Sequence, residues 1–271
     1  MKLRERIEVL LQSFSRRAEA RYQSRHRFIG FIAKRFGTRV YDPYNNWFES
    51  PEWCEIWRGS DWQANEIDVR KFSLYHLLRL IKGIPGDTAE CGAYTGLSSY
   101  AILSATRGDG RHHHVFDSFA GLSAPTEEDA VSAKFILKWR KNDLSAPESV
   151  LKQSLAKFPN VHVYKGWIPE RFDEVSSRRF AFLHVDVDLY QPTLDSLQFF
   201  YPRLVENGLI VCDDYGFSSC PGAYRAMNDY AAEVGSEVVH LPTGQGLLMK
   251  RSCSTPVKTN GEEVLMETCR S

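Results

Sequence analysis

The 271-residue sequence predicts an α/β protein built on a doubly wound, mostly parallel seven-stranded sheet with an N-terminal helical cap. Two observations indicate this fold class. From Thr88 onward, short apolar runs alternate with stretches that carry the three-and-four spacing of amphipathic helices. Farther along, two more apolar runs flank Pro-Thr-Gly-Gln, which is typical of an antiparallel hairpin at a sheet edge.

Residues 1–62 are predicted to form the cap. Their first 36 residues read as helix, with an apolar stripe at Ile7, Leu10, Leu11 and Phe14. This segment holds ten Lys and Arg against three Glu, a pattern shared by membrane-surface helices, although a cap packed through its stripe is the preferred interpretation. Residues 41–62 are rich in aromatic residues and predict an irregular connection or a short-helix lid.

The core is predicted over residues 63–250, starting with a helix from Val69 that Gly83 and Pro85 end. Five predicted strands follow: TAECG (88–92), HHVFD (113–117), VHVYKG (161–166), FAFLHVDVD (180–188) and GLIVCDD (208–214). Predicted helices occupy 95–106, 192–204 and 222–234, and the hairpin strands are 237–241 and 246–250. An insertion at 119–157 is long enough to be functional and is expected to cover the cleft and select the acceptor. Residues 251–271 form a polar tail.

Composition excludes several classes of protein. The formal net charge is zero, which does not favour nucleic acid as a partner. The sequence has no run of eighteen apolar residues, so no transmembrane helix is predicted, and the N-terminus lacks the pattern of a signal peptide. Six scattered cysteines without a paired spacing fit a reducing cytoplasm better than a disulfide or zinc framework.

The turn after the first strand, Ala89–Gly96, has the pattern ExGxxxG in place of a dinucleotide fingerprint. Glycines there let the backbone turn tightly and approach a ligand at the start of the next helix. The spacing suits S-adenosylmethionine, with Glu90 near its ammonium and the turn amides near its carboxylate. The alternative is a turn that binds nothing. Candidate cofactor residues here are Glu90, Gly92, Tyr94, Thr95, Gly96 and Ser98.

Two later segments add cofactor candidates. Asp117 ends the second strand, where an acid can accept both ribose hydroxyls of an adenosine, and Ser118 lies within reach. Gly166 permits close approach after the third strand, and Trp167 with Ile168 offers an apolar surface for adenine. A turn aspartate and a buried core tryptophan are the alternatives.

Acidic residues end the fourth and fifth predicted strands. Alternating strand residues share a face, so His184, Asp186 and Asp188 are expected to point to one side. Asp213 and Asp214 end the neighbouring strand, so these carboxylates should converge beyond the sheet edge. Oxygen ligands of this kind favour a hard cation, Mg²⁺ first and Mn²⁺ or Ca²⁺ as alternatives. Solvated acids are the simpler explanation.

Together, PGDTAECGAYTG, VFDSFAGL, KGWIPE, HVDVDLYQPTLDSL and LIVCDDYGFSSCPGAYRAMNDY resemble the macrocin O-methyltransferase-like family, over roughly Pro85 to Lys250. The resemblance implies a class I fold, S-adenosylmethionine and Mg²⁺ as cofactors, and a sugar hydroxyl as acceptor. It implies metal binding by Asp186, Asp213 and Asp214, and cofactor binding by Glu90, Gly92, Gly96 and Asp117. Asp188 is the candidate base that takes the hydroxyl proton, with His184 as second choice. GAYTG departs from the Trp-Arg pairing more usual in the family.

Three rival functions stay open on the sequence. Asp186 and Asp188 could form the metal-nucleotide motif of a glycosyltransferase, although this leaves the glycine turn unexplained. His184, Asp186 and His240 could form an iron triad, although that chemistry usually sits in a β-barrel. The third is a non-catalytic cofactor-binding protein. The expected partners are a small-molecule or glycan acceptor and further copies of the chain.

Overall fold

A computed structural model describes residues 18–35, 50–58, 69–131 and 138–251 of the chain. The chain divides into two compact units, Met1–Glu55 and Ile56–Ser271. The first unit contains helix α1 (Ala18–Arg35) and the start of helix α2 (Pro51–Arg58). None of the described helices combines the length and the apolar character needed to cross a bilayer.

Parts of the predicted cap lie outside the described residues. They are the apolar stripe at residues 7–14 and most of the aromatic stretch at 41–62. The predicted polar tail beyond Arg251 also lies outside the described residues. Within the aromatic stretch, the structure describes only α2, which is a short helix of eight residues.

In its described residues, the second unit contains the sheet and five further α-helices. The helices are α3 (Val69–Leu77), α4 (Leu97–Ala105), α5 (Glu148–Ser154), α6 (Tyr190–Arg203) and α7 (Pro221–Glu233). The strands are β1 (Asp87–Cys91), β2 (His113–Asp117), β3 (Val161–Lys165), β4 (Phe180–Val185), β5 (Leu204–Cys212), β6 (Val239–His240) and β7 (Gly246–Met249).

The seven strands form one sheet in the order β3-β2-β1-β4-β5-β7-β6. Strands β1 to β5 pair in parallel, and β7 runs antiparallel to both β5 and β6. The predicted doubly wound, mostly parallel sheet with an edge hairpin is therefore confirmed.

Helices cover both faces of the sheet, which is why the central strands read as continuous apolar runs. On one face Leu183 packs in a cluster with Leu197 of α6 and Met227 of α7. On the other face Phe182 packs with Leu74 of α3 and Ile102 of α4. Since adjacent strand residues point to opposite faces, β4 is buried along its whole length.

Parallel strands bring their carboxyl ends to one edge, and the acidic residues lie there. Strand β4 ends at Val185, before the predicted end at Asp188, and β5 ends at Cys212. Asp188 adopts a left-handed conformation, with φ of 61°. The expectation that His184, Asp186 and Asp188 share one strand face is therefore wrong, because the chain leaves the extended conformation after Val185.

Candidate active site

A cavity of about 600 Å³ opens at the carboxyl edge of the sheet. Its size lies within the range of roughly 300–1,000 Å³ typical of small-molecule sites. The turn after β1, the end of β2 and the acidic loops all contribute to its wall. The insertion contributes Gly121, Leu122, Ser123, Ala124, Thr126, Trp139 and Leu144. The described part of the insertion therefore forms one wall of the cavity, while residues 132–137 lie outside the described chain.

Gly92 allows the β1 turn to lie directly against the end of β4. Its φ is 80°, and a Cβ at this position would lie 2.0 Å from the carbonyl oxygen of Asp186. Its amide donates to the carbonyl of Phe116 at 2.9 Å, which ties the turn to β2 as well. Gly92 therefore fixes the spacing between the glycine turn and the acidic loop.

Replacing Gly92 by alanine is expected to prevent the two segments from closing together. The positive φ and the clash act in the same direction, and the two nearest atoms belong to the backbone of Asp186, which no side-chain rotation can move away. The Gly92→Ala protein should melt well below wild type or fail to accumulate as folded protein, whereas Gly108→Ala, with positive φ in open space, should cost less. Thermal unfolding followed by circular dichroism measures both; equal melting temperatures for Gly92→Ala and wild type would contradict this account.

Asp117 lines the cavity and organises the glycine turn through its carboxylate. Its Oδ2 accepts hydrogen bonds from the amides of Ala93 at 2.8 Å and Tyr94 at 2.9 Å. Its Oδ1 accepts from the amide of Phe119 at 2.7 Å. The sequence-based expectation that the turn amides face a cofactor carboxylate therefore fails for Ala93 and Tyr94, because Asp117 already accepts their hydrogens.

The remaining cofactor candidates separate into two groups. Four others line the cavity together with Gly92 and Asp117, namely Tyr94, Ser118, Trp167 and Ile168. Five lie outside its lining, namely Glu90, Thr95, Gly96, Ser98 and Gly166. Gly166 acts through its backbone, because its amide donates to the carbonyl of Asp117 at 3.0 Å.

Glu90 lies beneath the cavity, fully buried, and binds His184. Its carboxylate accepts a hydrogen bond from Ser99 and lies 2.8 Å from Nδ1 of His184. Burial alone would raise the pKa of Glu90, but the neighbouring rings of His113 and His184 hold it well below its usual range. Glu90 is therefore an ionised support of the site, and the placement predicted for it beside a cofactor ammonium is not what the structure shows.

His184 is fully buried between two carboxylates. Its Nε2 lies 3.4 Å from Oδ1 of Asp213, opposite its bond to Glu90. Burial would lower the pKa of His184, but these two acids raise it to about 9. A histidine that holds protons on both nitrogens cannot accept another, so the geometry argues against His184 as the base.

Asp213 is fully buried and surrounded by hydrogen-bond donors. Its Oδ2 contacts Arg70 at 2.8 Å and Lys71 at 3.0 Å, and its Oδ1 accepts from Gln245 at 2.7 Å. Burial would raise the pKa of Asp213, but Lys71, His184 and Arg70 hold it well below its ordinary value. The ammonium of Lys71 also lies 3.3 Å from Oδ2 of Asp186.

Asp188 and Asp214 form the second acidic set. The amide of Asp188 donates to Oδ2 of Asp214 at 2.9 Å, and the Cys220 thiol lies 3.4 Å from Oδ1 of Asp188. The indole of Trp139 donates to the Cys220 sulfur at 3.4 Å, which connects the insertion to this set. Burial and the charge of Asp186 raise the pKa of Asp188 to about 7. Burial and the charge of Asp188 likewise raise the pKa of Asp214 well above its usual value.

Within the described residues, two sets of side chains place potential metal-ligand atoms close together. One comprises His184, Asp186 and Asp213, and the other Asp188, Asp214 and Cys220. The predicted metal trio of Asp186, Asp213 and Asp214 is divided between them. His240, from the iron alternative, belongs to neither set and lies against the ring of Tyr215.

The charges of these sets fit a divalent cation. In the described part of the chain, five acids (Glu90, Asp186, Asp188, Asp213 and Asp214) meet three basic groups (Arg70, Lys71 and His184). Burial and the charge of Asp213 raise the pKa of Asp186 too. Asp186, Asp188 and Asp214 line the cavity and present oxygen ligands, as hard cations prefer.

Sequence reasoning missed Arg70, Lys71 and Gln245. Arg70 and Lys71 lie on α3 before the first strand, and Gln245 precedes β7, where its amide donates to Asp213. Neither segment resembles a binding motif, since an isolated lysine on a helix is normally solvated. Only the burial of Lys71, which is 6% exposed, distinguishes it, and burial depends on the fold.

Comparison with known proteins gives a family match. The family model described as "Macrocin-O-methyltransferase (TylF)" matches residues 76–239. A Streptomyces olivaceus protein named 8-demethyl-8-(2,3-dimethoxy-alpha-L-rhamnosyl)-tetracenomycin-C 4'-O-methyltransferase is 28% identical over 185 residues, which cover 65% of this chain and 70% of the relative. A Streptomyces niveus demethyldecarbamoylnovobiocin O-methyltransferase is also 28% identical, over 189 residues, covering 65% and 71%.

Two solved structures share the fold. The O-methyltransferase NovP superposes with a TM-score of 0.55 at 24% identity, covering 67% of this chain and 79% of that one. The calicheamicin methyltransferase CalS11 superposes with a TM-score of 0.58 at 18% identity, covering 78% and 94%.

Proposed function

The chain belongs to the macrocin O-methyltransferase family, and we propose that it transfers a methyl group from S-adenosylmethionine to a hydroxyl of a sugar or a sugar-bearing natural product. One observation carries this proposal: a single cavity is lined by cofactor candidates on one side and by candidate catalytic acids on the other. The tetracenomycin relative, whose name includes a rhamnosyl group, supports the acceptor class.

On the cofactor side, Asp117 keeps about one of its roughly four lone-pair positions for a ribose hydroxyl, because its two oxygens already accept three backbone hydrogens. Trp167 and Ile168 give the same region apolar surface. When bound, S-adenosylmethionine supplies an electrophilic methyl group. The chain's own task is to hold this donor and the acceptor in line, which removes much of the entropic cost of their encounter.

On the acceptor side, Asp188 is positioned to take the hydroxyl proton, because it lines the cavity and its raised pKa suits a base near neutral pH. Asp186 and Asp214 would hold Mg²⁺ at the cavity surface, which leaves Asp188 to accept the proton. When bound, Mg²⁺ lowers the pKa of a coordinated hydroxyl. Trp139 and Phe217 give the acceptor side of the cavity apolar surface. Trp139 contacts Cys220, and Phe217 lies against Arg70.

The cofactor assignment is tested by titrating S-adenosylhomocysteine into the protein by calorimetry. Wild type should bind, and Asp117→Ala should bind about tenfold to a hundredfold more weakly, the loss expected for a charged hydrogen-bond partner. Asp173→Ala, at an exposed carboxylate, serves as the control. Because Asp117 also supports the glycine turn, thermal unfolding must show that the variant is folded at the titration temperature. Equal affinity in Asp117→Ala, or binding of a UDP-sugar in place of S-adenosylhomocysteine, would contradict the proposal.

A further inference from the structure

A buried lysine lies between two of the candidate metal ligands. Lys71 is 6% exposed, and its ammonium lies 3.0 Å from Oδ2 of Asp213 and 3.3 Å from Oδ2 of Asp186. It comes from α3, which precedes the sheet, so a separate element delivers a positive charge to the ends of β4 and β5. Burying an ammonium is unfavourable unless it is paired and hydrogen-bonded, and here both carboxylates supply that pairing.

A divalent cation bound to Asp186 would lie close to the ammonium of Lys71. A magnesium ion lies about 2.0–2.1 Å from each ligand oxygen, so on Oδ2 of Asp186 it would be placed beside the ammonium that is hydrogen-bonded to the same oxygen. Two like charges at this distance in a buried site also repel strongly. Asp213 is further from accepting a metal than the other acids, because Arg70 and Gln245 also contact it and it does not line the cavity.

We propose that Lys71 is a positioning residue that holds Asp186 and Asp213 in the metal-free enzyme and competes with the divalent cation at Asp186. This inference rests on the proposed function, since it concerns the metal that the family's reaction would use. It follows that the acidic site is held together before any metal arrives. It also follows that the enzyme binds its metal more weakly than its number of carboxylates suggests.

The competition is tested by titrating Mn²⁺ into metal-stripped protein and following free Mn²⁺ by electron paramagnetic resonance. Lys71→Met should bind Mn²⁺ at least about tenfold more tightly than wild type, because a competing unit charge has been removed from the site. Lys71→Arg keeps the charge and should stay within severalfold of wild type. Lys82→Met, at an exposed lysine of the same segment, is the matched control and should not change the affinity.

Thermal unfolding provides the second measurement. In EDTA, Lys71→Met should melt below wild type, because Asp186 and the buried Asp213 each lose one counter-charge. Added Mn²⁺ should recover most of that loss, while it raises the melting temperature of wild type much less. If Lys71→Met does not fold without metal, Lys71→Gln, which keeps a hydrogen-bond donor without the charge, replaces it in both measurements.

The outcomes separate the inference from the proposed function. Equal Mn²⁺ affinity in wild type and Lys71→Met overturns the competition and leaves metal assistance intact. Tight binding by Lys71→Met with none by wild type supports the competition and removes metal assistance from the native reaction. Absence of Mn²⁺ binding in every variant overturns both.

Discussion

Replacing Asp188 by asparagine is expected to lower the rate of methyl transfer by about 10²–10⁴-fold, the usual contribution of a general base. Asparagine matches the shape of aspartate and tolerates the left-handed φ of 61° at this position, so the backbone should not change. The amide cannot accept the hydroxyl proton, although it can still occupy the space beside Cys220. S-adenosylhomocysteine binding and the melting temperature should therefore stay near those of wild type.

The pH dependence of the wild-type rate provides a second test of Asp188 as the base. A base acts when ionised, and burial together with the charge of Asp186 raises the pKa of Asp188 to about 7. The rate should therefore rise as the pH increases through about 7, and this rise should vanish in Asp188→Asn. Asp229→Asn, on the exposed surface of α7, is the control. A variant that retained a third or more of the wild-type rate would exclude Asp188 as the base.

Replacing Asp213 by asparagine is expected to damage both stability and turnover. Arg70, Lys71, His184 and Gln245 all direct donors at this carboxylate. An asparagine offers one oxygen, so its amide nitrogen would face donors and leave buried cations unpaired. Losing one partner of a buried ion pair typically costs about 3–5 kcal/mol, and a loss of that order in the free energy of unfolding is expected.

Urea unfolding of Asp213→Asn measures the loss of stability, and a methyl-transfer assay below the melting temperature should find almost no turnover. Cofactor affinity should stay within severalfold of wild type, because Asp213 does not line the cavity. Asp186→Asn is a useful comparison, since that side chain is 27% exposed and forms an ion pair with Lys71. If Asp213→Asn unfolds at the wild-type urea concentration, the described network does not hold this part of the fold together.

The sheet could be predicted from the sequence because strands that are buried on both faces consist of continuous apolar runs. Every residue from Phe180 to Val185 is buried, and all but His184 are apolar. The turn after β1 could be predicted because it contains Gly92. The edge hairpin was also predictable, because Pro-Thr-Gly-Gln interrupts two apolar runs. These are local signals, and each depends on a few neighbouring residues.

The electrostatic arrangement of the site could not be predicted in the same way. Alternation along a strand placed Asp186 and Asp188 on one face, but the strand ends at Val185 and the two acids join different sets. Lys71 reaches Asp213 across 142 positions of sequence, and no local pattern records such a contact. Glu90 was expected at the cavity wall, whereas Ser99 and His184 hold it beneath the wall.

The most direct test of the account is a crystal structure of the protein with S-adenosylhomocysteine and Mn²⁺, with the metal located by its anomalous scattering. We expect the adenosine to contact Asp117 and Trp167, the sulfur to face Asp188, and the metal to lie on the cavity side of Asp186 and Asp214. Cofactor bound outside this cavity, or a sulfur directed away from Asp188, would contradict the assignment of one cavity to both halves of the reaction.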